Sequence, residues 1–191
     1  MSYERKRARD LALLDAVEAS PRRTFSGEVW RACREGRDPV LGAASHSRWC
    51  NGEFDVLYTA LERDGAVAEV QAYLDLQPVF PSKLAIVAHR LAVRAGALLD
   101  LTADGVLEPL GIDPARYRER RYEPMQAVAD AAYFLGFEGL LAPSARYPCS
   151  NLVLFTDHLP TDAVALVESE PQTIDWASWR RARKAAQDRK S

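Results

Sequence analysis

Cysteine is scarce. The 191 residues hold three, Cys33, Cys50 and Cys149. The number is odd and no pair has C-x-x-C spacing, which argues against a disulfide scaffold or a zinc ribbon and fits a reducing compartment. Histidine is equally sparse: His46, His89 and His158 have no second histidine or cysteine at ligand spacing, so metal binding is not expected. The same three show no pairing of the kind a metal-independent nuclease would need for acid–base work. Long hydrophobic runs are missing. No apolar stretch approaches the roughly 18 to 20 residues of a membrane span. The first ten residues, MSYERKRARD, lack the apolar core of a secretory signal. The expected location is the cytoplasm. An excess of positive charge is missing too: the formal net charge is −2. No global field favours nucleic acid. No Walker loop, G-x-G-x-x-G or G-x-S-x-G occurs.

What remains is ordinary globular material, 48% apolar and 27% charged. The length suits a single domain over 1–191 with a real core. Residues 3–18 read as a helix, with Ala8, Leu11, Leu14 and Val17 near one face. Residues 28–34 read as a strand, followed by a polar loop over 35–52. Residues 54–60 (FDVLYTA) read as a strand, and 62–76 as a helix with Gly65 as a weak point. Residues 83–94 are expected to be one strand and 98–101 another. Thr102 can cap a short helix over 103–110 that Gly111 closes. A helix over 122–135 ends at Gly136. Three strand-like runs follow, broken by Pro143, Pro148 and Pro160. A basic helix over 174–190 carries two tryptophans. Strands with interspersed helices indicate an α/β or α+β domain with central sheets flanked by helices.

Several polar residues interrupt this pattern. Arg31 shares a strand face with Val29 and Cys33. It is either a solvated edge residue or a guanidinium fork for phosphate or carboxylate. Ser45 to Gly52 is dense in hydrogen-bonding groups and precedes an apolar strand, a place where loops often carry function. The bland reading is a turn closed by Asn51-Gly52. Glu69 lies in the apolar stretch 66–70 (AVAEV); periodicity alone turns it to solvent. Ser144 after Pro143 is ordinary turn chemistry.

Together these residues form a pattern. WRACR, then SRWCNGEFDVLYTALERDGAVAEV, then LAPSAR resembles the RES domain, a family named for an arginine, a glutamate and a serine. Arg31 matches the arginine, Arg48-Trp49 the loop, Tyr58 the strand tyrosine, Glu69 the glutamate and Ser144 the serine. The loop departs from the family: His46-Ser47 stands where two glycines are usual, and Cys50 displaces an asparagine.

The resemblance implies a fold like that of bacterial ADP-ribosylating toxins. It also implies the toxin half of a toxin–antitoxin pair, neutralised by an Xre-type antitoxin. The implied substrate is NAD⁺, whose nicotinamide–ribose bond is cleaved and whose ADP-ribose is expected to pass to a target protein; the alternative is hydrolysis or phosphorolysis that depletes NAD⁺. The ParT branch points to phosphoribosyl pyrophosphate synthetase as that protein. The implied catalytic residues are Arg31, Glu69 and Ser144. The implied NAD⁺-binding residues are Arg31, Arg48, Tyr58, His46 and Ser144, with Tyr58 stacking on nicotinamide and no metal. A reading from another class is a non-catalytic module binding nucleic acid through Arg180, Arg181, Arg183 and Lys184, although direct nucleic-acid binding is not expected.

Overall fold

The structure is a computed structural model that describes residues 9–188. Asp10 starts the first helix, α1 (Leu11–Glu18), by accepting the Ala12 N–H on its carboxylate, an ordinary N-cap. The earlier part of the helix expected over 3–18, residues 3–8, lies outside the described residues.

Strand β1 runs Arg22–Arg34, twice the length that the apolar alternation of 28–34 suggests. Its polar first half gives no hydrophobic signal. It is a strand because β5 (Ile86–Asp100) pairs with it antiparallel, from Arg22↔Leu99 to Arg34↔Ile86. β5 in turn is one strand where two were expected, and it passes unbroken through Gly96. The expected loop over 35–52 contains a small hairpin, β2 (His46–Ser47) and β3 (Cys50–Asn51). β4 (Val56–Ala60) and α2 (Arg63–Leu74) follow. The helix expected at 103–110 is reduced to short 3-10 turns at Glu108–Leu110 and Pro114–Arg116. Thr102 caps neither; its hydroxyl donates to Asp100. α3 (Glu123–Phe134), β6 (Gly139–Pro143), β7 (Ser150–Phe155), β8 (Val164–Ser169) and α4 (Trp176–Asp188) complete the order.

The main sheet has the order β1-β4-β7-β6-β5-β8, and β1 also pairs with β5. Five strands therefore form a ring, with β8 added outside it on β5. Only β5–β6 is parallel; the other ladders are antiparallel. The inward face is apolar and draws on every strand of the ring: Val29, Leu57, Leu91, Leu98, Leu141 and Leu152 form one buried cluster. Burying each such side chain stabilises by about 1.5–3 kcal/mol. The outward face is covered in two places. α1 and α3 pack on Val56, Leu140, Val153 and Phe155. α2 and α4 pack on Ile86 through Val67, Leu74 and Trp176. The candidate site lies on this outward face, between the two helical covers.

Candidate functional site

Residue register decides which side chains can meet. Ala60 pairs with Asn151, and Asn151 pairs with Ala142. Asn151 thus stands between two alanines on neighbouring strands, on the same face as Tyr58, because alternate strand residues share a face. α2 crosses this patch closely. The approach is possible because residue 65 is glycine: a Cβ there would lie 2.4 Å from Cys149 Sγ and 3.2 Å from Ala60 Cβ. Glu69 is one helical turn beyond Gly65, on the same helix face, and so reaches the end of β7.

Its carboxylate is held firmly. Ser144 Oγ donates to Glu69 Oε1 at 2.6 Å, and Asn151 Nδ2 donates to the same oxygen at 2.9 Å. Ser144 is oriented for this. Its hydroxyl oxygen accepts the N–H groups of Arg146 and Tyr147 at 3.1 and 3.2 Å, which leaves its proton for Glu69. Glu69 Oε2 accepts no bond among the described residues. Asn151 is 6% exposed, and its Oδ1 is buried without a partner among the described residues. A buried acceptor of that kind carries a desolvation cost, and it marks a place where a ligand N–H or O–H fits.

The β2–β3 hairpin forms the opposite wall. Tyr58 Oη accepts from Trp49 N at 2.7 Å and from Ser47 Oγ at 2.8 Å. Gln126 Nε2 donates to the Ser47 and Cys50 carbonyls at 2.8 and 3.1 Å. These bonds fix the tip, Arg48-Trp49. Arg48 is directed onto the 117–122 segment: Nη1 donates to the Tyr117 carbonyl and Nη2 to that of Glu119. The guanidinium lies 5.1 Å from the Tyr117 ring and 4.9 Å from the Tyr122 ring. Burial lowers its pKa, while Glu69 is close enough to oppose the shift. Burial also pushes the Tyr58 and Tyr117 hydroxyls up, so both stay neutral.

The structure therefore brings Arg48, Tyr58, Glu69 and Ser144 to one place. Glu69, which periodicity would turn to solvent, is half-buried and turned inward. Asn151 belongs with them and was missed; an asparagine between two strand-like residues gives no sequence signal beyond its polarity. Arg31 does not join them. It shares the inward face of β1 with Val29 and donates through Nη1 to the carbonyls of Pro39 and Leu41, both at 2.8 Å. It is 8% exposed, and burial lowers its pKa. The register explains this: Trp30, not Arg31, pairs with Ala60 and so shares the site's face. Arg31 ties down the loop after β1. His46 is exposed, with its ring against Gly52, where a Cβ would lie 2.9 Å from it. Among the described residues no three His, Cys, Asp or Glu side chains gather where they could hold a metal ion.

Comparison with known proteins agrees with this arrangement of elements. The model of the RES domain family matches residues 28–177. The probable NAD(+) phosphorylase Rv3189 of Mycobacterium tuberculosis is 32% identical over an alignment of 157 residues that covers 78% of this chain and 74% of that protein. Among solved structures, the crystal structure of the M. tuberculosis MbcT-MbcA toxin-antitoxin complex holds a chain with a TM-score of 0.79 and 22% identity, covering 90% of this chain and 97% of that one. At that identity the likeness speaks for the fold.

Proposed function

The chain belongs to the RES domain family, and from that membership we propose that it is the toxin of a toxin–antitoxin pair and acts on NAD⁺ by breaking the nicotinamide–ribose bond. The observation that carries the reading is the Glu69 carboxylate: two donors hold Oε1, and Oε2 accepts no bond among the described residues. Cleaving this bond builds positive charge on the ribose while nicotinamide leaves as a neutral molecule. A fixed carboxylate beside the sugar stabilises that charge more in the transition state than in the ground state. Its hydrogen bond to a ribose hydroxyl strengthens as the charge grows. Ser144 and Asn151 hold the carboxylate in place, so no reorganisation is needed during reaction. The unpartnered Asn151 Oδ1 can accept from a substrate hydroxyl or carboxamide. Arg48 supplies a guanidinium fork for a phosphoryl or ribose oxygen. Beside the stacking that the family resemblance implies for its ring, Tyr58 has a positioning role: its hydroxyl accepts from Trp49 N and Ser47 Oγ and so holds the hairpin that carries Arg48.

The acceptor of the ADP-ribosyl group is taken to be inorganic phosphate, because the relative at 32% identity bears the name of an NAD(+) phosphorylase. Phosphate oxygen would bond to the ribose carbon as the glycosidic bond breaks, giving free nicotinamide and ADP-ribose 1″-phosphate. Transfer to a protein such as phosphoribosyl pyrophosphate synthetase rests on the resemblance to the ParT branch alone. An antitoxin, of Xre type by that resemblance, would neutralise the enzyme by covering Glu69. A carboxylate it offered would meet Arg48, since Arg31 is buried.

One experiment separates these readings. The protein is incubated with NAD⁺ labelled in its adenylate half, in phosphate-free buffer, in phosphate, and in cell extract. Nicotinamide release that needs phosphate, with label in a sugar phosphate, is the expected result. Label in free ADP-ribose would make the enzyme a hydrolase, and label on one protein band a transferase. No nicotinamide under any condition would overturn the proposal.

A further inference from the structure

Arg146 and Arg183 are two guanidinium groups with unused donors. Arg183 Nη2 donates to the Arg146 carbonyl at 3.1 Å, and Arg146 Nη1 donates to the Arg118 carbonyl at 3.2 Å. Arg146 Nη2 and Arg183 Nη1 are both buried and have no partner among the described residues. Leaving a charged donor buried and unpaired is costly. Two such donors that line the same pair of cavities mark an anion site.

The larger cavity is a groove of about 690 Å³ between α2 and α4. Arg180, Arg181 and Lys184 also line it, so five cationic side chains face the two carboxylates of Asp75 and Asp188. Arg183 is further placed by its rings, 5.4 Å from Tyr147 and 5.7 Å from Trp179. Trp179 is itself anchored to α2 through Gln71 at 2.9 Å.

The groove adjoins the Glu69 site. Arg146 follows Ser144 by two residues, and its N–H holds the hydroxyl that Glu69 accepts. Ala68, next to Glu69, lines the groove. Arg48 senses both Glu69 and Arg146. Arg183 lies beyond the stretch 28–177 that the family model matches, so this part of the site is supplied by the C-terminal helix.

We propose that Arg146 and Arg183 form a phosphate-binding subsite beside Glu69. Planar forks suit phosphate oxygens, which accept two bonds side by side. The phosphate comes from one of two sources, free inorganic phosphate or a phosphoryl group of the dinucleotide; naming these sources rests on the NAD⁺ reading above.

The test uses the full chain. Inorganic phosphate is titrated calorimetrically at constant ionic strength into wild type, Arg183→Gln, Arg146→Gln, Arg183→Lys and Arg94→Gln. The two glutamine variants in the groove should each weaken binding about tenfold or more. Arg183→Lys should recover little, because a point charge does not replace the fork. Arg94→Gln, which loses the same charge outside the groove, should bind as wild type. Tryptophan fluorescence reports whether α4 stays docked in the Arg183 variants; Arg146 is not on α4 and reads the subsite independently. Steady-state nicotinamide release then identifies the source. A raised KM for phosphate at saturating NAD⁺ points to free phosphate, and a raised KM for NAD⁺ alone to the dinucleotide. Calorimetry reads the subsite even if no nicotinamide is released, so failure of the NAD⁺ reading is visible separately. Undetectable phosphate binding to wild type, or equal affinity in wild type and both glutamine variants, overturns the proposal. So does capture of an acidic peptide or an oligonucleotide in the groove that phosphate does not displace.

Discussion

Glu69→Gln tests the proposed chemistry with little disturbance of shape. Glutamine has the length of glutamate. Its amide oxygen can take the place of Oε1 and accept both Ser144 Oγ and Asn151 Nδ2, now at 2.6 and 2.9 Å, while its NH₂ takes the place of Oε2. The fold has no reason to change, so the thermal midpoint should stay within about 2 °C of wild type. What is lost is the negative charge facing the sugar. Losing one preorganised electrostatic contact of this kind costs about 10²–10³ in kcat, or about 2.7–4 kcal/mol. The charge matters most when the sugar becomes cationic, so NAD⁺ affinity should change far less than turnover. The assay is initial nicotinamide release at saturating NAD⁺, beside NAD⁺ titration and thermal unfolding on the same samples. A variant that melts normally and still turns over within about threefold of wild type would refute the electrostatic role of Glu69.

Other outcomes follow from the same geometry. Tyr58→Phe removes the acceptor of the Trp49 N–H at 2.7 Å, and Trp49 is 1% exposed. Stability should fall by about 1–3 kcal/mol, read by urea unfolding, and kcat/KM should fall because Arg48 loses its fixed place. Arg31→Lys cannot span the Pro39 and Leu41 carbonyls as the fork does; unfolding should show a loss of about 1–3 kcal/mol with KM for NAD⁺ little changed. Gly65→Ala should destabilise by about 1–3 kcal/mol despite a gain in helix propensity of about 1 kcal/mol. The new methyl would meet Cys149 Sγ, so adding Cys149→Ala should restore most of the loss in unfolding experiments. Partial burial pushes the half-buried Cys149 thiol up to about 11. Folded protein should therefore resist alkylation at pH 9, where the unfolded chain reacts readily. Because the folded value is the higher, this contribution to stability is intact below the unfolded thiol pKa and is lost as pH rises through about 11.

Much of the fold was legible wherever apolar alternation existed. FDVLYTA and NLVLF are strands because their alternate residues fill two cores, and α3 carries the apolar face its sequence shows. The polar half of β1 was not legible, since its strand character comes from its partner β5 and not from its own side chains. The helix expected over 103–110 failed because Gly105, inside that run, takes a left-handed φ of 74°, which breaks a right-handed helix. Among the candidate residues, the resemblance singled out Arg48, Glu69 and Ser144, of which Ser144 bonds directly to Glu69, while periodicity alone would have turned Glu69 outward. Neither source placed Arg31, whose face is set by a register only the three-dimensional pairing reveals. Asn151 went unseen because its meaning depends on two neighbours, Ala60 and Ala142, that are distant in sequence.

That distance also has a consequence in time. Glu69 meets Ser144 75 positions later and Asn151 82 positions later, and β7 enters the ring between β4 and β6, with Ser150 to Phe155 as its span. On a ribosome adding about 5–20 residues per second, the carboxylate emerges roughly 4–16 seconds before its partners. The closure is a long-range one, the kind that pays its loop entropy before any contact rewards it. A nascent chain is therefore chemically silent until β7 has been made and seated. In a cell that synthesises this protein, the assembled Glu69 site exists only in molecules whose ring has closed.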